Sequence, residues 1–455
     1  IRYYIHLVSS GGRTHEMYQL KGCVLLLFVG AIAGDGSETF FTKRVWAILV
    51  AGSNEWFNYR HQADVCHAYQ TLVSHGVPKE RIITLMYDDI AFNTLNPHQG
   101  QIFNEPNGTN VYEGVVIDYK GKDVSVDTFR HVLLGEKEAL ANIGSGRVLS
   151  SGETDHVLIN FVDHGGTGML NFPSSNLYAD DLKNILKNMK DKKMFDILVM
   201  YIEACNSGSM FDNIIGGTDG VLVSTAAAPD ESSYAWYCEN ELETCLGDLY
   251  SITWIERLNK MISSESLFEQ FDAIRTSVLQ KSHANLYGDY RVGFYELGLN
   301  FDVKDKNSLR VQNQYEMIED GVDSRDVPLF IAQKKYQKVK NKGERKSQYE
   351  QIVENRHFAD NLISKIMHLF TEGNLRLMRE LENKILPINE NVFDCYKSIV
   401  NSFQNNCFKL YEHTYFLKHT YKLSNICVKR LKPEKMIKAI ESICKDVNKG
   451  DTIII

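Results

Sequence analysis

Val157-Leu-Ile-Asn-Phe-Val-Asp-His-Gly-Gly166 and Ile197-Leu-Val-Met-Tyr-Ile-Glu-Ala-Cys-Asn-Ser-Gly208 are the two stretches that decide the fold of this chain. Each begins with a run of mostly apolar residues and ends in a polar or Gly-rich break, a pattern typical of buried parallel strands. In open α/β sheets the reactive crevice lies beyond the carboxyl ends of the strands. His164 and Cys205 are therefore expected to lie side by side there, as a thiolate–imidazole nucleophile requires.

Strand-like and helix-like patterns alternate around these two stretches. Three more strands and three helices are predicted, at Val45–Val50, Arg81–Tyr87 and Gly220–Thr225, and at Tyr59–His75, Asp127–Leu140 and Asp180–Met189. Residues 98–125 are rich in Gly and Asn and predict a long surface excursion. This alternation predicts an α/β fold with a mostly parallel sheet flanked by helices.

The charge of the chain is unevenly distributed. Its 455 residues are enough for one large core and a second, smaller domain, and the net charge of −8 argues against nucleic acid as the main partner. Residues 331–455 carry a net charge of +9, whereas residues 1–330 carry −17. This asymmetry indicates either two unrelated surfaces or an acidic body docked to a basic cap.

The chain begins with a segment that resembles a secretory leader. Met17 and Lys21 precede an apolar run at 23–33 that ends in Ala-Ile-Ala, which predicts a signal peptide at 17–33 and a non-native extension at 1–16. A membrane anchor is the alternative, but the run is too short for a spanning helix. The mature protein is therefore expected to be soluble, in the secretory pathway, without a membrane anchor.

Cysteine usage agrees with an oxidising compartment. Four of the nine Cys residues cluster near the end of the chain, at Cys395, Cys407, Cys427 and Cys444. Two disulfides are expected among them in any of three pairings, while the absence of a CxxC pair argues against zinc. No metal or cofactor is predicted. The sequon at Asn107 lies in a polar loop that suits a glycan.

The chain divides into three parts after the leader. Residues 42–301 form the predicted catalytic domain. Residues 302–347 form a predicted linker or activation segment, because their first part, 302–326, is charged and lacks clear periodicity. From residue 348 to 455 the apolar spacing is helical, which predicts a small all-α domain stapled by disulfides.

Cys205 could be a structural residue of the core or a catalytic nucleophile. A lone Cys is more often a small buried hydrophobe than a nucleophile. However, residues 206–209 cannot continue a strand, so the sulfur is expected at an exposed edge where nearby backbone N–H groups lower the thiol pKa. A lone His is usually structural, yet the glycines after His164 leave room for an oxyanion hole formed by Gly165 and Cys205. Asn58 is the candidate that orients the imidazole.

Several longer motifs resemble the legumain family of asparaginyl endopeptidases. They are Trp56–Asp64, Met86–Asp89, Asp163–Gly166, Tyr201–Ser209 and Leu246–Tyr250. The resemblance is close over about residues 45–300. The tail of the chain resembles the family mainly in its cysteines. It implies a caspase-like domain in which Cys205 is the nucleophile, His164 the general base and acid, and Asn58 the support of the histidine.

The resemblance also implies the specificity of the site. Its primary pocket would consist of Arg60, His61, Glu203, Ser233 and Asp248. An Asn side chain offers one acceptor and one donor end, which Arg on one side and carboxylates on the other satisfy. Cleavage is therefore expected after Asn over a wide pH range, and after Asp only in acid, where the carboxyl is protonated.

The C-terminal domain would be an autoinhibitory prodomain. By resemblance its bridges are Cys395–Cys427 and Cys407–Cys444, and a Cys238–Cys245 bridge is also expected. Acid is predicted to release the cap and permit self-cleavage after Asn341, in a lysosome- or vacuole-like compartment or after secretion. Proteins with exposed Asn are the implied substrates, and cystatin-type proteins the implied inhibitors. Glu55 stands where many family members have Gly.

Three other functions compete with hydrolysis. The acyl-enzyme could react with an amine instead of water, which would make the protein an asparaginyl transpeptidase or ligase. A related transamidase that attaches lipid anchors shares the dyad, but it would carry a membrane helix after the catalytic domain. A catalytically inactive binding protein that uses the crevice is disfavoured by the intact dyad and pocket.

Overall fold

The computed structural model describes residues 39–216, 218–261, 264–298, 321–337, 343–447 and 454–455, without the side chains of 343–347. The predicted extension at 1–16, the predicted leader at 17–33 and Asn341 lie outside these residues. Within the described part, no helix has the length and apolar character that crossing a membrane requires.

The strands and helices follow one another as the sequence predicts for an α/β fold. The strands are β1 (Val45–Ala51), β2 (Ile82–Met86), β3 (His156–Val162), β4 (Gly165–Gly166), β5 (Met169–Phe172), β6 (Ser175–Tyr178), β7 (Ile197–Glu203), β8 (Val221–Thr225), β9 (Tyr234–Trp236), β10 (Gly247–Asp248), β11 (Asn285–Gly288) and β12 (Val322–Asp323). The helices are α1 (Tyr59–Ser74), α2 (Val126–Leu133), α3 (Ala179–Asp191), α4 (Leu249–Asn259), α5 (Leu267–Val278), α6 (Val327–Gln337), α7 (Gly343–Phe370), α8 (Leu375–Glu382), α9 (Phe393–Asn406), α10 (Thr420–Val428) and α11 (Pro433–Cys444).

The central sheet has six strands in the order β11-β8-β7-β3-β1-β2. All neighbours are parallel except β11, which runs antiparallel to β8. β3 and β7 are adjacent, and Val162 lies opposite Glu203 in their register. The segments that carry His164 and Cys205 therefore leave the sheet next to each other, at its carboxyl edge.

Alternate residues of each strand contribute to two cores, one on each face of the sheet. In β3, Ile159 and Phe161 pack into the core that includes α2 and α3, whereas Leu158 packs into the core that includes α1 and α4. The first core continues into the C-terminal helices, where Tyr396 and Ile399 are fully buried. The α/β class, the mostly parallel sheet and the helical C-terminal region are thus confirmed.

The structure differs from the predicted elements at three places. The helix predicted to reach Leu140 ends at Leu133, because Gly135 adopts a φ of +69° that a continuing helix excludes. Two small sheets, β4-β5-β6 and β10-β9-β12, were not predicted. The predicted linker contains helix α6, which has Pro328 in its first turn, and α7 begins at Gly343 instead of residue 348.

The C-terminal helices are joined by two disulfides. Cys395 in α9 bonds to Cys427 in α10, and Cys407, after α9, bonds to Cys444 at the end of α11. A third disulfide joins Cys238 and Cys245 between β9 and β10. These are the pairings that the family resemblance implied.

Candidate active site

His164 is held by an amide on the far side of its ring. Its Nε2 lies 2.8 Å from the Oδ1 of Asn58, and the Nδ2 of Asn58 donates to the carbonyl of Asn54 at 2.8 Å. Because that second bond uses the amide donor, the oxygen must face the ring, so Nε2 carries the proton and Nδ1 keeps its lone pair. Nδ1 is therefore free to act as a base.

Cys205 follows β7 at a sharp turn of the backbone. Asn206 adopts the left-handed conformation, with φ +54°, and a short 3₁₀ helix then runs from Ser207 to Met210. The Sγ of Cys205 accepts a hydrogen bond from the Ser233 amide at 3.4 Å. A Cβ on Gly165 would lie 2.4 Å from the Cys205 carbonyl oxygen, so only glycine allows these two backbones to approach so closely.

The prediction of an exposed thiol with a lowered pKa is wrong for this form of the protein. Cys205 is only 2% exposed, and burial raises the pKa of its thiol above the ordinary value. Burial also keeps the pKa of His164 well below its ordinary value, helped by the nearby Arg60 cation. Both groups are therefore neutral, and the dyad is covered.

The residues expected in the specificity pocket do lie together. Arg60 donates from Nε to Asp248 Oδ1 at 2.9 Å, and both side chains are fully buried. Glu203 Oε2 accepts from the amide and the hydroxyl of Ser251, at 3.1 and 3.2 Å. His61 lies 3.7 Å from Asp248 through Nε2, and its Nδ1 is 2.6 Å from the Ser53 hydroxyl.

Three polar atoms of this pocket are buried but lack a hydrogen-bond partner among the described residues. They are Arg60 Nη2, Glu203 Oε1 and Asp248 Oδ2. Orphaned buried atoms are uncommon and costly, so they indicate a place where a ligand completes the bonding. The set offers one donor and two acceptors.

The electrostatics of the pocket favour neutral acids. Burial and the neighbouring Asp248 raise the pKa of Glu203 well above its ordinary value, and burial raises the pKa of Asp248 although Arg60 opposes the shift. Burial, with Arg60 and His164 nearby, keeps the pKa of His61 well below its ordinary value. Arg60 is thus the dominant charge in the pocket.

Two residues beneath the pocket were missed by sequence reasoning. Asp64 accepts from the Asp248 amide at 3.1 Å, and Asn104 donates to Asp64 at 2.7 Å and to the Leu246 carbonyl at 2.9 Å. Together they fix β10, which carries Asp248. Asp64 follows Arg60 by four residues in α1, so helical spacing places both on one face, whereas Asn104 lies in an irregular loop that gives no such signal.

A segment of the chain itself fills the site. β12 pairs antiparallel with β9, and the Ser324 amide donates to the Ser233 carbonyl at 3.0 Å. The Ser324 hydroxyl lies 3.3 Å from Ser233 Oγ and 3.5 Å from Asp248 Oδ1, at the mouth of the pocket. The sequence predicted only a linker at these residues.

The C-terminal helices close over this segment. Tyr396 donates to the Thr167 carbonyl at 2.8 Å, and the Thr167 amide donates to the Thr420 hydroxyl at 3.0 Å. A cavity over the dyad has walls from all three parts of the chain, lined by His164, Gly165, Cys205, Ser324, Arg325, Pro328, Thr414, Tyr415 and Leu417. The helical region therefore lies where a cap over the active site must lie.

One cluster of the described residues has metal-ligand spacing. The ligand atoms of His61, Asp163 and His164 lie within 4.8 Å of one another. His61 Nδ1 is already bonded to Ser53, and His164 Nε2 is bonded to Asn58. Each imidazole therefore already has one ring nitrogen in contact with a neighbouring side chain. Asn107, the predicted glycan acceptor, is exposed in a loop.

Comparison with known proteins identifies the family. Residues 45–341 match the model of the Peptidase C13 family, and residues 347–444 match the model of the legumain prodomain. Legumain from Rattus norvegicus is 38% identical over 426 residues, which cover 92% of this chain and 97% of that protein. A vacuolar-processing enzyme from Citrus sinensis is 38% identical, covering 89% of this chain and 86% of its own.

One more relative and one solved structure also match the chain. A hemoglobinase from Schistosoma mansoni is 38% identical, covering 90% of this chain and 93% of its own. A crystal structure of caspase-1 from Spodoptera frugiperda matches with 12% identity and a TM-score of 0.33, over 54% of this chain and 86% of that one, and carries no weight in the assignment. The chain belongs to the Peptidase C13 family, as a cysteine endopeptidase zymogen with a legumain-type prodomain.

Proposed function

We propose that this endopeptidase cleaves peptide bonds after Asn, and after Asp only in acid. The observation that carries the proposal is the set of three unpartnered atoms in the pocket. A carboxamide oxygen would accept from Arg60 Nη2, and the carboxamide NH₂ would donate to Glu203 Oε1 and Asp248 Oδ2. Asn is the side chain whose short amide supplies all three bonds.

The same atoms account for the expected behaviour towards Asp. An ionised Asp would bring a carboxylate towards Glu203 and Asp248, whose raised pKa values keep them protonated in acid but not at higher pH. As the pH rises these acids ionise and repel the substrate carboxylate. Cleavage after Asp should therefore be lost with rising pH, while cleavage after Asn persists.

The dyad would act by acyl transfer. His164 Nδ1 removes the thiol proton of Cys205 as Sγ bonds to the substrate carbonyl carbon, whose oxygen gains the electron pair of the broken π bond. The backbone amides of Gly165 and Cys205 would stabilise that oxyanion. The imidazolium then protonates the leaving amine as the C–N bond breaks, and a thioester to Cys205 remains. Water, deprotonated by His164, adds to the thioester carbon, and as the C–S bond breaks the imidazolium returns its proton to the Cys205 sulfur and the acid product leaves. Asn58 keeps the ring in the required tautomer throughout.

A matched peptide set tests the specificity. Peptides that differ only in Asn, Asp or Gln before the cleaved bond should be assayed with the activated enzyme at acid and near-neutral pH. Asn should be cleaved at both, Asp in acid only, and Gln poorly because it is one methylene longer. At pH values where Glu203 is ionised, Glu203→Gln should lower kcat/KM for Asn by about 100-fold, because an amide NH₂ would then face the substrate NH₂ in place of a carboxylate oxygen. Equal cleavage of Asp and Asn near neutrality would overturn the proposal.

We also propose that acid removes the cap and permits self-cleavage after Asn341. The basic C-terminal region is tied to the acidic body by Lys397, which bonds to Asp180 and Asp181 at 2.8 Å each. Protonation of body carboxylates reduces the attraction between the charges of −17 and +9. A lysosome- or vacuole-like compartment, or an acidic extracellular space, would supply that pH.

The self-cleavage has a direct test. Full-length Cys205→Ala should stay uncut at acid pH, while the wild type should be cut, with Asn341 as the new C-terminus by mass spectrometry. Active wild type added in trace amounts should cut the variant at the same bond, which controls for correct folding. Maturation of Cys205→Ala alone would contradict self-cleavage, and a different C-terminus would contradict the assignment to Asn341.

A further inference from the structure

The segment that fills the active site shows which residue would follow a cleaved bond. β12 pairs with β9, and Ser324 lies at the mouth of the pocket that we propose for Asn. Ser324 thus stands in the place of the residue before the cleaved bond. Arg325 comes next and lines the cavity over His164 and Cys205. Its side chain consequently marks the position of the residue on the leaving side.

The guanidinium of Arg325 lies in a built seat. Its Nη1 donates to Ser232 Oγ at 2.7 Å, and its Nη2 donates to Asn206 Oδ1 at 2.6 Å and to the Gly165 carbonyl at 3.1 Å. Each acceptor belongs to a residue adjacent in sequence to a group of the site, namely Ser233, Cys205 and His164. The seat is therefore fixed to the same backbone that positions the chemistry.

Asn206 is oriented by bonds that do not involve Arg325. Its amide Nδ2 donates to the Pro229 carbonyl at 2.9 Å, and its backbone N–H donates to the Glu231 carbonyl at 2.8 Å. The side-chain oxygen must then face the seat, because the nitrogen is already used. Pre-oriented acceptors bind a charged donor without the cost of ordering them.

We propose that Gly165, Asn206 and Ser232 form a subsite for a basic side chain on the residue that follows the cleaved bond, so that Asn-Arg and Asn-Lys pairs are preferred substrates. This inference rests on the proposed cleavage after Asn. Arg fits better than Lys, because the planar fork reaches two sides of the seat at once, whereas an ammonium is a single point of charge. The acidic body adds a general attraction for cations.

The sequence of the activation segment agrees with this preference. Residues 302–347 contain Asn307, Asn313 and Asn341, and of these only Asn341 precedes a basic residue, Lys342. Asn307 precedes a Ser and Asn313 precedes a Gln. The subsite would therefore favour Asn341 over the other two positions in self-processing.

The first test uses the acid-activated full chain and peptides that differ only at the residue after Asn. We expect kcat/KM for Arg to exceed that for Ala by at least about fivefold, with Lys between them. Ser232→Ala and Asn206→Ala should each reduce the Arg-to-Ala ratio, because each removes one acceptor of the seat, and each ratio is taken within one variant. Ser277→Ala, on the exposed face of α5, is the matched control and should leave the ratio unchanged.

The outcomes separate this inference from the proposed function. Cleavage after Asn with equal rates for Arg and Ala would overturn the subsite alone. A digest of a mixed peptide library covers the other case: if the cleaved bonds do not follow Asn, the proposed function fails, while enrichment of Arg and Lys after the cleaved bond still decides the subsite.

A second test needs no activation. In the full-length chain, Arg325→Ala should speed alkylation of Cys205 by iodoacetamide by about fivefold or more at neutral pH, with Arg325→Lys intermediate. Arg291→Ala, an exposed arginine on the body, is the control and should not change the rate. An unchanged rate in Arg325→Ala would show that the seat does not hold the guanidinium in solution.

Discussion

At the scale of single residues, Asn58 decides which nitrogen of the His164 imidazole carries the proton. Its own amide is fixed by Asn54, and it presents only oxygen to His164. Sequence reasoning found Asn58 because it lies in a recognisable motif at the start of α1. It could not find the orienting bond to Asn54, which depends on the exact path of a loop.

We expect Asn58→Ala to lower kcat/KM by about 100-fold, because a histidine free to rotate or to change tautomer is misplaced for proton transfer. The measurement is steady-state kinetics on an Asn peptide, with thermal unfolding to show that the fold is kept. Asn54→Ala is the control and should leave kcat/KM close to the wild-type value, since the acceptor for the Asn58 amide is the Asn54 backbone carbonyl, which alanine keeps. Full activity of Asn58→Ala would contradict the role.

Glu55 carries a backbone conformation that a residue with a side chain rarely adopts. Its φ is +72° and its ψ is 157°, a region used almost only by glycine. The amide of Glu55 donates to Asp89 Oδ2 at 2.7 Å, which holds the strained turn in place. Many members of the resembled family have Gly at this position. The backbone conformation explains this, because glycine adopts it without strain.

Replacing Glu55 with Gly should therefore stabilise the protein. We expect the free energy of unfolding to rise by about 1–3 kcal/mol, because the strain is removed while the amide bond to Asp89 stays. Chemical denaturation monitored by fluorescence is the measurement. Glu55→Ala removes the same charge but keeps a Cβ, so it should not stabilise to this extent; equal effects of Ala and Gly would point to charge instead of strain.

At the scale of elements, the strands of the central sheet were predictable and the small sheets were not. Runs such as 157–162 are recognisable by their apolar composition, and their alternation with helices predicts that they pair in parallel. β9, β10 and β12 are two or three residues long, and β12 pairs with β9 across more than 80 residues of chain. Pairing at such distance is set by tertiary contacts, not by local pattern.

The exposure of Cys205 was mispredicted for the same reason. The residues next to it do form a sharp turn at the sheet edge, as expected. The cover comes from Ser324, Arg325 and helices still later in the chain, which no property of residues 203–208 could reveal. Local sequence thus indicated the chemistry of the thiol, while its accessibility is a property of the assembled fold.

The contact between α3 and α9 is one of the links between the cap and the body. Lys397 bonds to Asp180 and Asp181 at the start of α3, and its ammonium lies 5.1 Å from the centre of the Tyr178 ring. The side chain is mostly buried, with 24% of its surface exposed, so the interaction is stronger than that of a surface ion pair.

Lys397→Met should loosen the cap while keeping the apolar stem. Loss of about 1 kcal/mol of cap stability should raise the neutral-pH alkylation rate of Cys205 by about fivefold in the full-length chain. Lys435→Met is the matched control, because Lys435 pairs with Glu372 and lies over the Phe370 ring, both within the cap. An identical rate in both variants would show that the contact does not hold the cap.

At the scale of the whole molecule, we expect a buried histidine of the C-terminal region, His413, to contribute to the proposed acid response. His413 accepts a hydrogen bond at Nδ1 from the Ile454 amide at 3.1 Å, and it packs against Phe408. Burial lowers the pKa of His413 from 6.5 to about 4. A histidine whose pKa is lowered by folding makes its full contribution to the stability of the folded form at pH values above 6.5. This contribution is lost as the pH falls from 6.5 towards 4.

We expect His413→Asn to move the midpoint of acid release to lower pH, because the amide oxygen keeps the acceptor for Ile454 but does not titrate. The measurement is Cys205 alkylation as a function of pH in the full-length chain. His283→Asn, an exposed histidine on the body beside Glu231, should leave the midpoint unchanged. A midpoint that does not move in His413→Asn would assign the acid response to carboxylates alone.

The ribbon formed by β9 and β10 is completed in the zymogen by two residues of its own chain, Val322 and Asp323. Once that third strand has left, any polypeptide that replaces it must lie extended along the exposed edge of β9 to reach the thiol. An asparagine wound into a stable helix, or locked inside a sheet, cannot present itself in that way. The enzyme would therefore cleave at sites that local unfolding of its substrates exposes. In a folded protein substrate, the first peptide bonds cleaved should be those in its most flexible loops.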